Sequence, residues 1–115
     1  MADIKTELRE LSVLVGVDAA VNQKEDVFDY DSFCDEVLKI VDNGTNHFNE
    51  QLKAKYQFTD EEIQILRNGY KLSKSIVDKF KIKHIEALKW FGWDTQKEDP
   101  IDIQINDYNF SLKES

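Results

Sequence analysis

Residues 58–80 read FTDEEIQILRNGYKLSKSIVDKF, and the opening Phe58-Thr59-Asp60-Glu61-Glu62-Ile63 decides how the chain is organised. Thr59 and Glu62 have the spacing of a capping box. The hydroxyl and the carboxylate each accept from a backbone N–H that the first turn of a helix would otherwise leave unsatisfied. Phe58 and Ile63 flank the cap at the positions of a hydrophobic staple. The helix predicted from this start runs over 59–80. It places Ile63, Leu66, Tyr70, Val77 and Phe80 on one face, with Ser73 filling the remaining position. Its acids fall in the first turn and its lysines later, as the helix dipole favours.

Working outward, Ile4, Leu8, Leu11 and Val15 step by four, three and four, which predicts a helix over 3–15 with Gly16 as a left-handed stop. Residues 17–29, with the polar run Asn22 to Asp26, read as a flexible surface connection with one short helical turn at Asp18 to Val21. Ser32 caps a predicted helix over 31–42, whose inner face is Phe33, Val37, Ile40 and Val41. Phe48, Leu52 and Tyr56 continue that face beyond Asn43-Gly44-Thr45, a turn-favouring interruption. A kinked helix or two helices satisfy the pattern; the second option is favoured and gives a further helix over 45–57. Ile85, Leu88 and Phe91 give a short helix over 83–91 ended by Gly92. After the polar stretch 94–100, Ile101, Ile103 and Ile105 alternate with polar residues, as do Tyr108, Phe110 and Leu112, with Asn106-Asp107 between them. This predicts a β-hairpin over 101–113. The expected fold is mainly α with a small C-terminal β-hairpin, an α+β single domain of four to five helices.

A chain of 115 residues with a 41% hydrophobic share fills one core. Wholly apolar runs, such as Val13 to Val15, are far too short to cross a membrane. The first residues mix both signs of charge, unlike a secretory leader. Cys34 is the only cysteine, so neither an intramolecular disulfide nor a multi-cysteine zinc site is available. A cytoplasmic location is expected, which makes the sequons Asn43-Gly44-Thr45 and Asn109-Phe110-Ser111 coincidental.

The formal net charge of −8 is unevenly spread. Residues 63–93 hold seven bases and two acids, interleaved with Tyr70, Phe80, His84, Trp90, Phe91 and Trp93, whereas the segments on either side are acidic. One reading of the basic block is a helix-turn-helix regulator that binds DNA through Lys81, Lys83, His84 and Lys89, with the hairpin as a wing. Against it, Lys81 occupies the turn position where glycine is usual. The outward side chains also include no Arg, Asn or Gln to read bases. Glu25, Asp26, Asp29, Asp31, Asp35 and Glu36 make the competing surface, six carboxylates within twelve residues able to imitate the charge of nucleic acid before a basic partner. Trp90, Phe91 and Trp93 are too close in sequence for one short helix to bury all three, so a ring among them is a candidate anchor for a partner.

Chemistry of other kinds finds little foothold. Asp29-Tyr30-Asp31 begins like a calcium loop, but Phe33 occupies the next ligand position. Two histidines, His47 and His84, define no metal site, and Cys34 reads as a small core residue. No cofactor is expected and the chain is read as non-enzymatic. In size, acidity and lack of a catalytic constellation it resembles, in general character, phage-encoded inhibitors of host nucleic-acid enzymes, anti-CRISPR and anti-restriction proteins among them. It carries no motif of any such family. The favoured function is an inhibitor or adaptor whose partner is another protein with a basic, nucleic-acid-binding surface.

Overall fold

The capping box forms as its spacing requires. Thr59 N donates to Glu62 Oε1 at 2.9 Å and Glu62 N donates to Thr59 Oγ1 at 3.2 Å. It opens a 20-residue helix, Asp60–Lys79. In the computed structural model, which describes residues 4–41, 57–92 and 101–112, this is the third of three helices among the described residues, not the four to five expected. The described elements are α1 (Ile4–Val21), α2 (Tyr30–Ile40), α3 (Asp60–Lys79), β1 (Leu88–Trp90), β2 (Ile103–Ile105) and β3 (Tyr108–Phe110). Together they make a compact, mostly helical body with a small antiparallel sheet toward its C-terminal end, ordered β1-β2-β3.

Helices α1 and α3 form the main packing interface, and they run parallel. Lys5 meets Glu61 at one end, while Ser12 lies against Gly69 and Gly16 against Ser73 further along. Small residues set the distance between them. A Cβ on Gly16 would lie 2.1 Å from Ser73 Oγ, and one on Gly69 would lie 1.9 Å from Ser12 Oγ. The Ser73 hydroxyl donates across the crossing to the Val13 carbonyl at 2.9 Å. Leu8, Leu11, Leu14 and Leu66 fill the core around this seam, joined by Phe33 from α2 and Ile103 from the sheet.

Gly16 is therefore not the expected helix stop. It is a packing contact in mid-helix, and α1 continues five residues past it. The chain is turned out of the helix at Gln23, in the left-handed region with φ 56°, where Lys24 N donates to Ala19 O at 2.8 Å. That six-residue closure is the Schellman motif. α3 ends in the same way: Lys81 has φ 54°, Ile82 N donates to Val77 O at 3.0 Å, and Lys81 N to Asp78 O at 3.3 Å. Lys81 thus adopts the positive φ that its side chain disfavours.

Other expectations are corrected at α2 and the sheet. The cap of α2 is Asp29 and not Ser32: Asp29 Oδ2 accepts from Ser32 N at 3.1 Å and from the Ser32 hydroxyl at 3.2 Å. Val41 is extended, so no continuous helix runs from α2 toward residue 56. The helix expected over 45–57 lies outside the described residues. Residues 83–91 form no helix. Leu88, Lys89 and Trp90 pair with Ile105, Gln104 and Ile103, giving a three-stranded sheet in place of a lone hairpin. Asn106 explains the switch. Its Oδ1 accepts from Glu86 N at 2.6 Å and Ala87 N at 3.2 Å, its Nδ2 donates to His84 O at 3.0 Å, and its backbone N donates to Ala87 O at 2.7 Å. These bonds claim the backbone groups that a helix would have used.

The sheet turns Leu88, Trp90, Ile103 and Ile105 inward against α1. Trp90 is 1% exposed and its Nε1 donates to Glu10 Oε1 at 3.0 Å. A Cβ at Gly92 would fall 1.9 Å from that carboxylate oxygen, so glycine is needed there for the close approach. Among the described residues no helix is long and apolar enough to cross a membrane.

Candidate partner-binding surfaces

The fold divides the six carboxylates of residues 25–36. Asp29 is occupied as the cap of α2. Asp26 Oδ2 pairs with Lys74 Nζ of α3 at 3.1 Å. Glu36 pairs at 3.5 Å with Lys24, which also holds Asp18 at 2.9 Å and so links the end of α1 to α2. The hydrogen bond that Lys24 donates to Asp18 is the main reason that its ammonium titrates above its usual range. Tyr70 completes the attachment, donating its hydroxyl to the Val27 carbonyl and meeting the Phe28 ring edge-on at 5.3 Å. Burial, with Asp26 and Glu36 adding to it, pushes the Tyr70 phenol well above its usual range. The connection from 22 to 29, expected to be flexible, is thereby pinned to α3.

Glu25, Asp31 and Asp35 remain, all exposed and with no ion pair among the described residues. Asp31 and Asp35 are four residues apart on α2, so they project on one side, and Leu38 follows at the next turn. At about 100° per residue these three lie within about 60° of one another around the helix. Phe33 and Val37 face the core from the opposite side. Leu38 is 59% exposed, more than any other large hydrophobic among the described residues. Sequence reasoning passed over it, though the signal was available: Leu38 falls off the apolar face defined by Phe33, Val37 and Ile40. α2 thus presents two carboxylates and an uncovered leucine on a helix fixed at its start and along its inner face.

The basic block is redistributed. Lys81, Lys83 and His84 come together where the end of α3 meets the β2–β3 turn, around an open cleft of about 310 Å³ that Phe80, Asp107 and Tyr108 also line. Tyr108 is 40% exposed and packs on Phe80 with ring centroids 4.7 Å apart. Phe110 meets the same Phe80 ring at 5.5 Å, and Lys79 Nζ lies 5.9 Å above its centroid. Glu86, also at the cleft, sits 3.0 Å from His84 Nε2. Lys89 is elsewhere, on β1 opposite Gln104, which in turn pairs with Asn109 of β3. No recognition helix joins these lysines, because residues 88–90 are strand.

Trp90 is committed to the core and offers no surface to a partner; Phe91 is half-buried, and Trp93 lies outside the described residues. The Cys34 thiol is half-buried, and burial pushes its pKa up, with Asp31 and Asp35 in the same direction and a hydrogen bond involving Tyr30 opposing them. It therefore stays a thiol at neutral pH and lacks the thiolate character of a nucleophile. Among the described residues no group of three His, Cys, Asp or Glu side chains is placed to hold a metal ion. No protein-family model matches the chain, and neither the curated proteins nor the solved structures provide a significant match.

Proposed function

We propose that this protein is a non-enzymatic inhibitor or adaptor that docks the outer face of α2 on a basic surface of another protein, of the kind that handles nucleic acid. The observation that carries this reading is the pairing of Asp31 and Asp35 with a 59% exposed Leu38 on one side of α2. Exposed carboxylates steer a basic partner toward encounter, and an apolar anchor among them supplies burial once contact is made. The tied carboxylates favour the same reading, since they hold α2 in place and reduce the ordering cost of docking. The duplex-reading alternative loses the helix on which it depended.

The test uses the full chain as bait in an extract of its native host, beside an Asp35→Lys/Leu38→Ala variant, with captured proteins identified by mass spectrometry. The expected result is a basic, nucleic-acid-handling protein held by the wild-type chain, eluted by salt and lost from the variant. Equal capture by both baits would contradict the proposal.

A further inference from the structure

We infer that the corner between the end of α3 and the β2–β3 turn binds single-stranded nucleic acid, one base stacking on Tyr108 and the adjoining phosphates meeting Lys81 and Lys83. This site shares no residue with the α2 face, so either proposal can fail without the other.

Three observations converge on this ligand. The Tyr108 ring is 40% exposed and backed at 4.7 Å by Phe80, which leaves it open to solvent but held against a second ring. Base–aromatic stacking needs such a platform and tolerates any base. Lys81 and Lys83 carry no ion pair with another described residue and line the same cleft as Tyr108, so their charges are available to an anion. The loop that carries them is held rigidly, by the Schellman closure at Lys81 and by Asn106, which bonds to the backbone at His84, Glu86 and Ala87. A ligand meets this arrangement already formed.

The chemistry also selects among nucleic acids. In a duplex the base faces are covered by their neighbours, so Tyr108 finds a stacking partner only on an unpaired strand. Asp107 and Glu86 line the same cleft and repel phosphate, which confines the phosphate path to the Lys81 and Lys83 side and keeps the affinity modest. Two or three phosphate contacts give a slope of about −2 in log affinity against log salt. That corresponds to a loss of about 16-fold between roughly 50 and 200 mM salt.

Fluorescence anisotropy with a fluorescein-labelled oligothymidylate of about twelve nucleotides, and with a duplex of the same length, tests this on the full chain at low salt. The strand is expected to bind saturably with that salt slope, and the duplex at least about tenfold more weakly. Tyr108→Leu keeps apolar bulk over Phe80 but removes the aromatic face, and it should weaken strand binding by about tenfold; Tyr108→Phe should restore it. Lys81→Glu/Lys83→Glu should abolish binding, and Asp107→Asn should tighten it a few-fold. No strand binding at about 100 μM protein, equal binding of strand and duplex, or Tyr108→Leu binding as tightly as wild type would each overturn the inference.

Discussion

In residues 25–36 the fold is held by side-chain carboxylates, whereas in residues 80–87 it is held by backbone amides and one asparagine. Asp29 caps α2, and Asp26 and Glu36 reach lysines on α3 and after α1. At the other corner Lys81 and Lys83 do no comparable structural work through their side-chain charge; Asn106 and the closing turn of α3 shape the loop beneath them. Two charged segments thus contribute differently to stability. A charged side chain serves a partner only when the fold has left it unspent.

The largest effect is expected at Asn106. Asn106→Ala removes three side-chain hydrogen bonds and strips two backbone N–H groups of their acceptor, at about 1 kcal/mol each. Urea unfolding should show a loss of about 3 kcal/mol. Asn106→Gly, which relieves the positive φ of 53°, should recover only a fraction of it. Recovery in full would mean that backbone strain, and not the hydrogen bonds, sets the shape of this corner.

At the acidic segment the corresponding contact is Tyr70 on Val27. Tyr70→Phe should cost about 1 kcal/mol at neutral pH. It should also flatten the alkaline limb of stability. The folded state holds the phenol proton more tightly than the unfolded chain does, so stability is fully present below the unfolded value of about 10. It is lost as pH rises above that value, because the unfolded chain ionises first. Unfolding measured at neutral pH and near pH 11 should show a steeper fall for wild type than for Tyr70→Phe.

A smaller effect of opposite sign is expected at the end of α3. Lys81→Gly removes the strain of a side chain at φ 54° and should stabilise by up to about 1 kcal/mol, while weakening strand binding at the corner. Stabilisation in urea together with loss in anisotropy would separate the backbone role of position 81 from the role of its charge.

The sequence disclosed what local rules control. Thr59 and Glu62 announce α3 because a capping box is complete within four residues. Ile103 and Ile105 face inward as their alternation requires, with Asn106 at the turn. Features that depend on distant partners were hidden. Leu88 fits an apolar helical face with Ile85 and Phe91 as well as it fits a strand with Trp90, and the choice is made by Asn106, which lies about twenty residues away. Gly16 looked like a stop because glycine often is one, and only Ser73 shows it to be a crossing point. The helix ends at Gln23 and Lys81 carry no glycine to mark them. Which of six neighbouring carboxylates the fold consumes was equally illegible, because the choice depends on Lys24 and Lys74 and on where α3 places the latter.

If α2 docks as proposed, stability and partner recognition fall on different acids of one segment, and a crossed measurement separates them. Asp35→Lys/Leu38→Ala alters the outer face of α2 beyond its first turn, and Asp29→Ala removes its cap. Each variant is measured for unfolding free energy in urea and for affinity to the captured partner at about 50 and 300 mM NaCl. The first variant is expected to keep its stability within about 0.5 kcal/mol and to lose at least about tenfold in affinity. The second should lose about 1 kcal/mol of stability and keep its affinity within about twofold. An Asp35→Lys/Leu38→Ala protein that binds as tightly as wild type would contradict docking through α2.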